Sequence, residues 1–256
     1  MTESKPSREL SIGEIVTHTF GLYSQKFIHY LIPFLIAGAI TGLFTMAVNY
    51  TIKVPPQPTN PTPEEAIAWL TEALPPILGM LFLTLIIGWI IGYIVQGISI
   101  KYTIDTLEKS QANLLTSFNF TMSKLLLLLA VSIITGILII VGLIAFVIPG
   151  IILLIIFSLV VPTIIIENTG ALESLSRSRL LVSHRWLKTF VLLLLLYLMI
   201  GIVSALVGVI SIPFGEASPL ASSILTAFIQ PILPIGLTLY YYSMIARATP
   251  QEPTTT

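Results

Sequence analysis

The chain has 256 residues, of which 55% are hydrophobic and 9% charged, against the roughly 25% charged residues of a globular domain. Twelve basic and twelve acidic side chains cancel, which excludes the basic field that a nucleic-acid partner needs. Cysteine is absent, so disulfide staples, thiol catalysis and Cys-based metal sites are excluded as well.

The opening MTESKPSRELSIGE is polar and has no Ala-x-Ala cleavage site, so a retained first anchor is expected rather than a removed leader. Within it, Leu10-Ser11-Ile12-Gly13-Glu14-Ile15 carries a helix start. Ser11 and Glu14 have capping-box spacing, and Leu10 with Ile15 supplies a hydrophobic staple. Ile12, Ile15, Val16, Tyr23 and Phe27 then recur at helical spacing, which predicts an amphipathic helix lying in a membrane interface or packed on a bundle.

A first span is predicted at about 28–49. TIKVPPQPTNPTP follows and is too proline-rich to be helical. Thr62-Pro63-Glu64-Glu65 restarts a helix, expected to be short, interfacial and ended by Pro75-Pro76, with Trp69 at headgroup level. The second span, about 77–99, holds Gly88-x-x-x-Gly92, a small-residue face for close helix approach. A polar amphipathic segment is expected between Lys101 and Lys124.

The stretch Leu125–Ile166 contains 42 residues and no charge, where about 20 apolar residues already cross a bilayer. It divides into a third span, about 125–147, and a fourth, about 151–166. Ile148-Pro149-Gly150 is expected at the hairpin tip, and Pro162 is expected to kink the second arm. A fifth span is predicted at about 190–210. The sixth, about 223–245, is interrupted by Gln230-Pro231 and Pro234. The predicted architecture is therefore an all-α integral membrane protein: one domain, 1–256, with six transmembrane helices and amphipathic interfacial helices.

Orientation follows from the basic residues. With the N-terminus inside, eleven of them, from Lys5 to Arg247, fall on inner segments and only Lys53 on an outer one. This asymmetry places both termini in the cytoplasm and the protein in a cell membrane. An amphipathic inner segment precedes a pair of spans three times, at Ser11–Lys26, Tyr102–Lys124 and Gly170–Lys188. That layout predicts three parallel helical-hairpin repeats.

The third of these segments, ENTGALESLSRSRLLVSHRWLK, places Ala171, Leu172, Leu175, Val182 and Trp186 on one helical stripe, with Glu173 and Arg177 spaced for an i,i+4 pair. Arg177, Arg179, Arg185 and Lys188 are candidate contacts for lipid phosphates or an acidic partner, each contributing about 1 kcal/mol near an anionic leaflet. The alternative is that they are ordinary positive-inside residues, with Arg179 snorkelling.

Ile148-Pro149-Gly150, Pro162, Glu167, Gly170-Ala171-Leu172-Glu173 and Ser176-Arg177-Ser178-Arg179, in that order, resemble the core of six-span prokaryotic proteins related to the glycerophosphoryl diester phosphodiesterase membrane domain. Leu10–Ile15 is similar to that family's opening helix. The resemblance implies the same six-span fold. Some relatives fuse this domain to a phosphodiesterase domain, for which this chain has no room, and members without it have no assigned function.

No predicted span carries Asp, Glu, Lys or Arg at its middle, whereas ion-coupled transporters need such a group. His18, His29 and His184 lack metal-ligand spacing, and no nucleophile or nucleotide motif is present. No catalytic residue, metal or cofactor is expected. Ser132, Ser158 and Ser204 are read as helix-packing residues. Gln230, Pro231 and Pro234, with Thr135 and Gln96, form the candidate buried polar site, because proline frees carbonyls that can line a cavity. Two functions follow as expectations. One is a non-enzymatic scaffold or envelope factor contacting anionic lipids of the inner leaflet. The other is a permease or channel for a small apolar or amphiphilic solute.

Overall fold

Helix α1 (Ile12–Gln25) starts at the capping box its sequence encodes. The Glu14 N–H donates to Ser11 Oγ at 3.2 Å, and the Ser11 N–H donates back to the Glu14 carboxylate at 2.7 Å. Ile15, Thr19, Leu22 and Tyr23 of α1 are buried, so this helix is packed into the bundle rather than laid on its surface. The protein is seen in a computed structural model that describes residues 5–109 and 111–248, with no strand among them. The expectation of an uncleaved N-terminus falls partly on residues 1–4, outside the described residues.

Helix α2 (Phe27–Thr51) coincides with the first expected span. Helix α3 (Pro63–Lys109) corrects the next expectation: it is one helix of 47 residues that runs straight through Pro75-Pro76. Each proline removes one N–H, but the carbonyls left over belong to the exposed Thr71 and Glu72, where water can satisfy them. At 1.5 Å per residue α3 is about 70 Å long, more than twice an apolar bilayer core. Trp69 lies on this same helix, not on a separate one, and its indole N–H donates to the Pro55 carbonyl at 3.0 Å, tying down the proline-rich segment.

The polar segment expected between Lys101 and Lys124 is likewise not one helix. It is the end of α3 and the beginning of α4 (Leu114–Ala145), whose first amides, Leu115 and Thr116, are capped by the Asn113 side chain at 2.8 and 3.2 Å. The central hairpin reverses at Phe146, in extended conformation, three residues before the expected tip. Pro149 and Gly150 lie in the first turn of α5 (Val147–Ile156), where proline gives up no bond. Gly150 is needed for proximity rather than for a left-handed bend: a Cβ there would sit 2.8 Å from the Leu143 backbone nitrogen.

The expected kink of the second arm is a full break at Phe157–Leu159, one turn ahead of Pro162, before α6 (Val160–Glu167). Ser178 of α7 (Ala171–Val182) closes it, donating to the Ile156 carbonyl at 2.6 Å and accepting from the Leu159 N–H at 3.2 Å. Helix α8 (Trp186–Ser211) is followed by a 3-10 turn (Ile212–Ala217) and α9 (Ser218–Thr226). The chain then breaks a second time at 227–231 before α10 (Ile232–Ala248). Here Tyr23 of α1 donates to the Phe228 carbonyl at 2.7 Å.

Among the described residues, five helical stretches are long and apolar enough to cross a membrane: Phe27–Thr51, Pro63–Lys109, Leu114–Ala145, Val147–Glu167 and Trp186–Thr226. The predicted sixth, 223–245, is divided by the second break, which leaves α10 only 17 residues long.

The core sits at the end of the bundle where most basic residues gather, here called the basic end. Helix α10 is its axis. Pro234–Met244 is buried without interruption, and it is surrounded by α1, the last turns of α3, α6, α7 and the start of α8. Towards the opposite end the helices present Ile40, Leu85, Ile144 and Leu206 to the outside, a continuous apolar surface of the kind that faces lipid. One tight helix crossing there is α2 on α9. A Cβ on Gly38 would lie 2.6 Å from the Ser223 carbonyl oxygen, and one on Gly42 would lie 2.7 Å from Leu220 Cα. Gly38-x-x-x-Gly42 is thus a small-residue seam between α2 and α9. Gly88 and Gly92, expected to form such a seam, have no neighbouring atom within 4 Å of a Cβ.

Candidate functional site

At the basic end most cations have a carboxylate partner, while Lys26, Lys124 and Arg179 have no ion pair among the described residues. Lys101 and Lys109 both bridge Asp105, at 2.7 and 3.0 Å, and Asp105 is 3% exposed. Lys5 pairs with Glu108 at 3.4 Å, and Arg8 with Glu14. Of the four candidate cations, Arg177 makes a bidentate bond to Glu167, with Nε at 3.0 Å and Nη2 at 2.8 Å. The expected Glu173–Arg177 pair does not form, because the chain turns at Asn168 in the left-handed conformation (φ 56°) and folds Glu167 back against α7. Hydrogen bonding to Glu167 raises the Arg177 pKa above its ordinary value, so this pair is a fastener between α6 and α7.

Arg185 and Lys188 converge instead on Glu9, at 3.0 and 2.6 Å, and Arg247 approaches the same carboxylate at 3.7 Å. Lys188 also donates to the Leu10 carbonyl at 2.6 Å. Partial burial alone would raise the Glu9 carboxyl, but the hydrogen bonds from Lys188 and Arg185 outweigh it and hold the group below its ordinary value. Three cations against one carboxylate leave a net charge of +2 in this cluster. A cavity of about 300 Å³ opens beside it, lined by His184, Trp186 and Leu187 as well. Arg179 stands apart, exposed and with no ion pair among the described residues. The expected α7 stripe is rotated: Ser174, Leu175, Ser178, Leu181 and Val182 are buried, while Leu172 and Trp186 face outward. Arg179 therefore lies off the packed face rather than within it.

Three consecutive tyrosines on α10 point in three directions, since successive helical residues are about 100° apart. Tyr240 shares a hydrogen bond with Thr189 of α8 at 2.6 Å, and Tyr242 donates to Glu108 of α3 at 2.8 Å. The Tyr241 hydroxyl faces Thr163 and the Glu167–Arg177 pair without a hydrogen bond of good geometry.

The second feature is a cleft midway along the helices. Two adjoining cavities, of about 330 and 280 Å³, share Gly88, Gly92, Val95 and Gln230. They lie between α2, α3, α8 and the break before α10, with Gln96 and Pro234 on the wall. Of the candidate buried polar site, Pro231 and Pro234 are buried, but Gln230 is exposed: its side chain looks into this cleft. The reason is the break itself, which turns 227–231 away from the α10 axis. Gln96 joins Gln230, whereas Thr135 is spent within α4 on the Val131 and Ser132 carbonyls.

A family model covers residues 67–240, beginning in α3 and ending at the first of the three tyrosines. The chain belongs to that family, DUF7847, a domain of unknown function. No curated protein and no solved structure matches the chain.

The matched range contains the positions of Arg177, Arg179, Arg185, Lys188, Gln96 and Gln230. Glu9, which holds Arg185 and Lys188, and Arg247 lie outside it. Glu9 was invisible to sequence reasoning because its partners are more than 170 residues away. Gly38-x-x-x-Gly42 was missed in the sequence, although it has the same spacing as Gly88-x-x-x-Gly92.

Proposed function

We propose that this DUF7847 chain is a non-enzymatic, multi-pass protein of a prokaryotic cell membrane whose cytoplasmic face holds anionic lipid of the inner leaflet, in a scaffold or envelope-organising role. Six passes are counted in this reading: α2, α3, α4, α5 with α6, α8, and α9 with α10. Both termini are cytoplasmic. Three parallel hairpin units, each entered from the inner side, belong to the same reading. The motif order that resembles the glycerophosphoryl diester phosphodiesterase membrane domain belongs to the same proposal.

The observation that carries it is the surplus charge at Glu9. Arg185, Lys188 and Arg247 exceed their single carboxylate by two, and the exposed Trp186 and Leu187 stand next to them. A phosphate above a cationic cluster with apolar side chains beside it is the arrangement of an interfacial lipid site. The test is native mass spectrometry of the protein from mixed bilayers, counting retained phosphatidylglycerol against phosphatidylcholine. Replacing Arg185 and Lys188 by Gln removes about 2 kcal/mol, an expected loss of roughly 30-fold in preference. An unchanged ratio rejects the lipid role.

A second reading, a permease for a small amphiphilic solute, is favoured by the cleft at Gln230, which sits where α9 and α10 part.

A further inference from the structure

A primary amide at the middle of an apolar bundle has to find a hydrogen-bonding partner, because hydrocarbon supplies none. The side chains of Gln96 and Gln230 bond to no described residue, and both line the same cleft. On its floor Gly88 and Gly92 leave bare backbone, with nothing within 4 Å of either Cβ position. In a packed membrane bundle such a small-residue face normally receives another helix. Here it faces empty volume. Trp89 and Tyr93 form an edge-to-face pair on the wall, with ring centroids 6.2 Å apart. No Asp, Glu, Lys or Arg lines either cavity, so a charged head would enter without a counter-charge and lose its hydration.

We propose that this cleft binds an uncharged amphiphile whose polar end carries carbonyl oxygens, received by the carboxamides of Gln96 and Gln230, with its apolar body against Gly88, Gly92 and Trp89. Each carboxamide brings two donors and an acceptor, which suits paired carbonyls and leaves an ionised head unserved. Cavities of this size accommodate a ligand head while its tail passes between helices into lipid. Two kinds of neutral lipid carry this chemistry: glycerolipids with ester carbonyls and quinones with ring carbonyls. The site does not depend on the anionic-lipid reading. It underlies the permease reading, which requires in addition that the ligand cross the membrane.

The experiment uses the full chain in nanodiscs of zwitterionic lipid, titrated separately with 1,2-dioctanoylglycerol and with a decyl-substituted benzoquinone while tryptophan emission is followed. Of the three tryptophans only Trp89 lines the cleft. The expected result is a saturable change with one of the two probes, which identifies the source, abolished in Trp89→Phe and at least tenfold weaker in Gln230→Leu and Gly92→Leu. Gly92→Leu places its side chain in open space, so an unaltered thermal transition confirms that it folds. No saturable response to either probe, or a response that Gly92→Leu leaves intact, overturns the site. Binding without liposome flux of the same probe keeps the site and removes the permease.

Discussion

The Tyr242 hydroxyl donates to Glu108 at 2.8 Å, joining the end of α10 to the end of α3 across 134 residues of chain. With Tyr240 on Thr189, two side chains of one helix, two residues apart, hold two different helices in place. Tyr242→Phe keeps the ring and removes the bond. Glu108 is partly exposed, so water replaces some of the loss, and a destabilisation of about 1 kcal/mol is expected. Unfolding in mixed detergent micelles measures it. Glu108→Gln, which still accepts, should cost less.

Gly38 and Gly88 make a matched pair of substitutions. Alanine at Gly38 drives a methyl group to 2.6 Å from a backbone oxygen of α9, which cannot move without moving the helix. The expected cost is about 1–3 kcal/mol. Alanine at Gly88 meets open space and should leave stability unchanged or slightly raised. Equal effects in the same unfolding assay would contradict the α2–α9 seam.

Acid should loosen α1 from its start. The hydrogen bond from Arg8, with those from Ser11, holds the Glu14 carboxyl at about 2, against an ordinary value of 4.5. Glu9 is depressed too, the hydrogen bonds of Lys188 and Arg185 overriding the effect of burial. A depressed carboxyl stabilises the fold fully above its ordinary value and ceases to do so as pH falls through the lowered one. Between about pH 4.5 and 2 the thermal transition should therefore fall, and Glu14→Gln should flatten that slope. A transition temperature independent of pH over this window would separate these carboxylates from the stability of α1.

Glu9→Gln opposes the two roles of its cations. Removing the one negative charge raises the cluster from +2 to +3, three cations against none. If the surplus holds lipid phosphate, preference for phosphatidylglycerol should rise about fivefold, for about 1 kcal/mol, even as the loss of the ion pairs lowers stability. A purely structural cluster gives the loss of stability alone.

The helical class and the apolar stretches were legible because burial in lipid demands long uncharged runs, which Leu125–Ile166 displays residue by residue. The Ser11–Glu14 cap was legible too, because both partners lie within one turn. Proline was misleading. Pro75-Pro76 looks like a stop and is not one, since exposed carbonyls tolerate the missing donors. Pro149 looks like the turn but only follows it. What breaks the chain at 157–159 is tolerated because Ser178, 19 residues from Leu159, stands ready to bond the freed backbone.

The candidate cations stand out in the sequence only as a group and are sorted by the fold. Local chemistry sets which residues are basic and that the spans are uncharged. Which cation is consumed by a partner depends on carboxylates far away in sequence: Glu167 closes Arg177 off, while Glu9 gathers Arg185 and Lys188 and still leaves charge to spare. The same holds for glycine. The sequence by itself determined an all-helical chain with uncharged runs long enough to span a membrane and the positions of its Gly-x-x-x-Gly faces. Tertiary packing alone decided that Gly38 and Gly42 carry a helix while Gly88 and Gly92 face a cleft, because whether a face is covered depends on where a distant part of the chain comes to rest.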